Sequence, residues 1–145
     1  MKHIRISFER GGELTAMLLE DAAPKTCQMI WKAMPLESVV THSRWSGREI
    51  NFVCDDISAP PRENQTIYAS AGELCYWRDW QSESIEQQVI AIYYGAELAR
   101  SHKGNERINV FAQLLQTDIL LLKEIGERVW LTGTEKVYIE RINNE

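Results

Sequence analysis

The chain is poor in the residues that carry the commonest chemistries. Its three cysteines, Cys27, Cys54 and Cys75, form no CxxC pair, so neither a zinc knuckle nor a thioredoxin-type dithiol is indicated. Each lies among apolar neighbours and reads as a buried thiol. The three histidines, His3, His42 and His102, fit neither HxH nor HExxH spacing, so no metal is expected. There is no Gly-rich phosphate loop, no GxSxG elbow and no GxGxxG fingerprint, and no cofactor is expected. No apolar run approaches the roughly 20 residues needed to cross a bilayer. The start, MKHIRISFERGG, has no apolar signal core. A cytoplasmic protein with no membrane partner is the expectation. Basic residues are outnumbered, 16 Lys and Arg against 21 Asp and Glu, for a net charge of −5. No basic stripe is available for a phosphate backbone, so nucleic acid is not an expected partner.

What is present is a core. The 145 residues are 44% apolar, enough for one folded domain across residues 1–145. Residues 3–8 and 13–19 alternate apolar and polar side chains, the period of half-buried strands, around a Gly11-Gly12 turn. Asp21-Ala22-Ala23-Pro24 opens a helix, with Pro24 in the first turn where its missing N–H costs nothing. Ala23, Cys27, Ile30 and Met34 form its buried stripe, and Pro35 ends it.

Residues 37–45 and 48–54 read as two strands joined at Gly47. The first is expected to place Val40, His42 and Arg44 on one face. Residues 55–64 are loop, stiffened by Pro60-Pro61. Strands follow at 73–77, 88–94 and 108–114, with a short one at 66–69. Thr117-Asp118 is placed to cap a helix running to about Trp130, weakened by Gly126 at about 1 kcal/mol relative to Ala. Residues 135–142 alternate again and close the chain. The fold class expected is mainly β, about eight strands with two helices.

Several stretches resemble the cyclophilins. Asp21-Ala22-Ala23-Pro24-Lys25-Thr26 is similar to their "APKT" helix start. Asn109 to Leu114, NVFAQL, is similar to the late "VVFGKV" strand. Gly133 to Ile139 is similar to the terminal "GxPxKxVxI" strand. The fuller resemblance is to a bacterial branch of small cyclophilin-like proteins of unknown function, through HSRWSGRE at 42–49, ENQTI at 63–67, Tyr93-Tyr94-Gly95 and NVFA at 109–112. It implies an antiparallel barrel of about eight strands with a helix closing each end. The prolyl isomerase site of true cyclophilins does not carry over. Their Phe-His-Arg strand is here His-Ser-Arg, displaced by one residue, and such a slip exchanges the faces of a strand. Their Gln-Gly-Gly-Asp turn is absent, and their late-strand His is replaced by Ile108. Prolyl isomerisation ranks last among the functions.

The segment 41–49, THSRWSGRE, gathers the chemistry. Arg44 offers a fixed guanidinium fork for a carboxylate or phosphate, against the plainer reading of a surface ion pair. Trp45 can floor a pocket or pack a hairpin. Glu49 is a candidate catalytic base if desolvated, and otherwise a solvated turn carboxylate. Asn64 can orient a ligand or cap a turn. Tyr94 can present its hydroxyl to a ligand or fill the core. Asn109, polar in an apolar strand, must be hydrogen-bonded or face a cavity.

The leading expectation is a pocket for a small anionic molecule, in which Arg44 anchors, Trp45 and Tyr94 wall, and Asn64 and Asn109 orient. Hydrolysis of a small amide or ring at Glu49 is admissible by analogy, because the resemblance extends to domains of bacterial amide-hydrolysing assemblies. The alternative is a non-catalytic binding module, a homodimer joined through an exposed Trp77 and Trp80.

Overall fold

In the computed structural model, which describes residues 1–142, eight antiparallel strands close into a barrel. They are β1 (His3–Phe8), β2 (Glu13–Leu18), β3 (Leu36–His42), β4 (Glu49–Val53), β5 (Glu73–Trp77), β6 (Val89–Tyr93), β7 (Ile108–Leu114) and β8 (Glu135–Ile142). Their spatial order is β2-β1-β8-β3-β4-β6-β5-β7, and β7 returns to β2 through Ala112↔Leu18, Gln113↔Met17 and Leu114↔Ala16. Closure leaves these strands no open edge. Short two-residue pairings decorate the long connections at 65–69 and 97–105. No helix among the described residues is long and apolar enough to cross a membrane.

Strict alternation builds the interior. Ile4, Ile6 and Phe8 of β1, Leu14, Ala16 and Leu18 of β2, and Ile50 and Phe52 of β4 are all buried in one core. Helix α1 (Pro24–Ala33) adds Cys27 and Ile30 to it, with Ala23 just before the helix, and α2 (Ile119–Thr132) adds Leu122, Ile125 and Val129. The sheet also carries a second apolar cluster, in which Cys75, Ala91, Tyr93, Ile108 and Val110 pack under Ala69 and Ala99. These residues alternate with the interior ones along β5, β6 and β7, so they belong to the outer face of the barrel. A bulge in β7 between Val110 and Ala112 fits Phe111 in as an extra interior residue.

Three local expectations are corrected. Strand β3 stops at His42 rather than at residue 45. The Ser43 side-chain oxygen accepts from the Trp45 N–H at 3.2 Å and the Ser46 N–H at 2.8 Å, and this local turn displaces the ladder. Gly47 follows at φ 67°. Asp118 does not cap α2. A 3-10 turn, Gln116–Asp118, precedes the helix, and the Asp118 carboxylate accepts the Thr15 N–H at 2.8 Å. Finally, Trp77 and Trp80 are only partly exposed. The Trp77 indole donates to Glu106 at 3.3 Å and that of Trp80 to the Arg107 carbonyl at 2.7 Å. The Arg62 and Arg78 guanidiniums lie 5.2 and 4.5 Å from the Trp80 ring centroid. The pair therefore forms no exposed aromatic patch, and the homodimer argument built on it loses its basis.

Candidate functional site

The outer face of β4 and β6 holds a cavity of about 270 Å³. Period two puts Glu49 and Asn51 on that face, opposite the interior Ile50 and Phe52. Tyr93 lies directly across the ladder from Glu49, and Ala91 across from Asn51. Trp77, Val89, Ala91, Ala99 and Ile108 supply apolar wall. The turn at 43–48 and the connection at 97–106 build the cavity upward from the sheet, with Arg44, Trp45, Arg100, Ser101 and Glu106 lining it. These two loops are clamped together. The Ser46 hydroxyl donates to the Arg100 carbonyl at 3.0 Å and accepts the Arg100 N–H at 2.8 Å. Glu97 receives Arg48 through its Nε at 2.6 Å and its backbone N–H at 3.1 Å.

Glu49 is the chemical centre of the cavity. It is only 6% exposed. Burial raises its pKa above the ordinary carboxylate range, because removing a charge from water is costly. The Asn51 amide donates to it at 2.7 Å, and the Ser43, Ser46 and Tyr93 hydroxyls lie nearby. These partners temper the shift without reversing it. The Tyr93 hydroxyl is itself pushed well up by burial and then by the neighbouring carboxylate. Arg44 and Trp45 are exposed, Trp45 at 54%. Neither Arg44 nor Arg100 makes an ion pair among the described residues.

Tyr94 serves a different place. It lines a second, more open groove with Arg48, Glu127 and Trp130, which shares His42, Ser43 and Arg44 with the first cavity. Its hydroxyl is 2.7 Å from His42 Nε2, and Trp130 meets the same imidazole edge-on at 4.8 Å. The Tyr94 ring lies so close to Gly126 that a Cβ there would come within 2.5 Å of it. This explains a glycine in mid-helix.

Asn64 and Asn109 are in neither space, and the expected single pocket is corrected accordingly. Asn109 is wholly buried. Its oxygen accepts the Glu63 N–H at 3.1 Å and the Gln65 amide at 3.0 Å. Its amide donates to the Thr26 hydroxyl at 3.1 Å and the Pro61 carbonyl at 2.9 Å. That uses both donors and both acceptor positions, leaving none for a ligand. Asn64 occupies the left-handed region at φ 46° and donates to the Val110 carbonyl at 2.8 Å, the role of a turn residue. The same network reaches the start of α1. The Glu63 carboxylate accepts the Thr26 N–H at 2.7 Å, the Thr26 hydroxyl at 2.8 Å and the Lys25 N–H at 3.2 Å.

Sequence reasoning missed Asn51, Tyr93, Arg100 and Glu106. Asn51 could have been found, since it stands two residues after Glu49 and shares its face. Arg100 and Glu106 carry no periodic signal, because they reach the cavity on an irregular connection.

A closed eight-stranded antiparallel barrel with two helices is a cyclophilin-like fold. Residues 6–140 match the family described as proteins of unknown function, DUF3830, and the chain belongs to that family. No curated protein matches the chain. Among solved structures it is similar to McbB in complex with tryptophan, at TM-score 0.73 and 17% identity, over 98% of this chain but 45% of McbB. It thus spans less than half of that protein. It is also similar to a hypothetical protein of Archaeoglobus fulgidus, at TM-score 0.63 and 22% identity, covering 97% of this chain and 95% of the other. A cyclophilin-type peptidyl-prolyl isomerase of Cryptosporidium parvum matches at TM-score 0.54 and 14% identity, covering 99% of each chain. At these identities the likeness is one of fold.

Proposed function

We propose that the cavity above β4 and β6 binds a small anionic molecule, with Arg44 as its anchor and Glu49 as the group that exchanges protons with it. The observation that carries this reading is the placement of Glu49. A carboxyl group 6% exposed, without an arginine or lysine partner among the described residues, costs stability by being buried. Such a residue is a functional-site candidate when it sits in a cleft. Its raised pKa brings it towards the range where a carboxyl can both give and take a proton. Above it, Arg44 is an exposed cation free to meet an anion, and Trp45 and Trp77 offer ring surface. Hydrolysis of a small amide or ring compound is the reaction first in line.

A thermal-shift screen of small carboxylates and cyclic amides tests the reading, since a ligand of the native state raises Tm. Tryptophan belongs in the screen because McbB holds it. The expected result is a hit whose shift shrinks in Arg44→Ala. A hit to which Arg44→Ala responds like the parent protein removes the anchoring role. Product formation lost in Glu49→Gln while binding persists is the signature expected of catalysis. Binding without product in the parent protein leaves the non-catalytic module as the function.

A further inference from the structure

The charges lining the cavity are sorted by depth. Glu49 and Tyr93 lie buried at the sheet. Asn51 stands beside Glu49, and its side-chain oxygen accepts the Thr41 hydroxyl at 3.3 Å. No lysine lines the cavity, and its two arginines, Arg44 and Arg100, are both in the exposed class. Between the two levels the walls are apolar, with Trp77, Ala91 and Ile108 on one side and Trp45 at the lip. Glu106 is half-buried and already engaged by the Trp77 indole and the Ser101 hydroxyl. A ligand that fills the cavity therefore meets a carboxyl at its inner end and guanidinium at its outer end. The volume, about 270 Å³, lies just under the range of about 300–1,000 Å³ usual for ligand pockets. A space of that size accommodates about one ring with short substituents.

We propose that this cavity takes a single-ring compound with a carboxylate at one end and an amine at the other, the amine seated on Glu49 and the carboxylate held at Arg44 and Arg100. The inference rests on the binding reading above and adds the ligand's inner group. An ammonium group is a strong donor to a carboxylate, and it supplies the cation that the buried Glu49 lacks. A monoanion without the amine would leave Glu49 buried beside apolar ring carbon. Binding also moves a proton. Desolvation shifts free Glu49 towards its protonated form. An ammonium ligand shifts it back towards the carboxylate, so a proton held on Glu49 leaves to solvent on binding. The other titratable or charged groups around it are Tyr93 across the ladder, Cys75 on β5, His42 at the end of β3, Arg44 on the near loop, and Arg100 and Glu106 on the far one. Of these, Tyr93 and Cys75 are held protonated by burial.

Three compounds sharing one ring test this by isothermal titration of the whole chain: 4-(aminomethyl)benzoate, 4-methylbenzoate and benzylamine. The expected result is that the amino acid binds roughly tenfold or more tighter than either of the others, the scale of one charge-assisted hydrogen bond. Its heat should vary with the ionisation enthalpy of the buffer, reporting proton release. In Glu49→Gln the preference for the amine and the buffer dependence should both vanish, so that the two benzoates bind alike. Equal affinity of the two benzoates for the parent protein overturns the inference and leaves the anion-binding reading standing. So does an amine preference that survives in Glu49→Gln. If neither benzoate binds, the inference is overturned and the anion-binding reading loses its support as well.

Discussion

Glu49 is where single-residue physics is most exposed to measurement. Burial lifts its native pKa above the value it has in the unfolded chain, near 4.3. The folded state then holds the proton more tightly. Its contribution to stability is fully present below that unfolded value and is lost as pH rises through the native pKa. Glu49→Gln removes this slope. Urea melts of the parent and the variant should therefore diverge upward in pH, with the variant gaining relative stability as pH rises above about 4.3. Parallel curves would mean that Glu49 is not desolvated in solution. The three cysteines give a second residue-scale test. Burial pushes the Cys27 and Cys54 thiols up to about 12, and Cys75 well above its ordinary value. A thiolate is the reactive species, so a thiol reagent at pH 8 should label the native protein slowly and all three positions quickly once it is unfolded. Buried thiols were legible from apolar neighbours alone. The state of Glu49 was not, because desolvation depends on two loops that meet only in the folded chain.

At the scale of elements, two long-range carboxylates tie the helices to the barrel. Ala23, the residue before α1, gives no side-chain cap. Glu63, 37 residues beyond Thr26, covers the free N–H groups of Lys25 and Thr26 instead. The positive end of the helix dipole adds to the attraction. Glu63→Ala should cost about 1–2 kcal/mol in chemical denaturation, the scale of a lost cap. For α2 the tie is Glu135, whose side chain is fully buried. It accepts Arg128 through two bonds of 3.0 and 2.8 Å, and the Arg10 N–H at 3.1 Å.

Gly126 makes a sharper prediction, because two principles disagree about it. Helix propensity alone gives Gly126→Ala about 1 kcal/mol of added stability. The new methyl would meet the Tyr94 ring at 2.5 Å, and overpacking of this kind costs about 1–3 kcal/mol. Denaturation should show a net loss, accompanied by a disturbed His42–Tyr94 contact. The strands and both helices were legible because the periods of 2 and 3.6 survive in the sequence. The end of β3 was not, since a serine side chain competing for two backbone N–H groups leaves no trace in hydrophobic patterning. Asn109 was legible as a residue that needed partners, but not that all of them would be protein.

For the whole molecule, architecture and activity separate. The barrel is shared in outline with a prolyl isomerase, yet the cavity here is roofed by clamped loops and floored by a buried acid. Its volume suits one ring better than a peptide threaded across the face. A proline-peptide isomerisation assay should show no acceleration over the uncatalysed rate. Clear acceleration would overturn this view of the outer face.

The extra residue in β7 has a wider consequence. By letting Phe111 and Ala112 both face inward after the outward Ile108 and Val110, it gives the first half of the strand to the outer compartment and keeps its end, with Leu114, in the core. Substitutions in the outer one can retune what is recognised without eroding the hydrophobic foundation behind it. Such a scaffold can diversify its ligands over evolutionary time while keeping its shape.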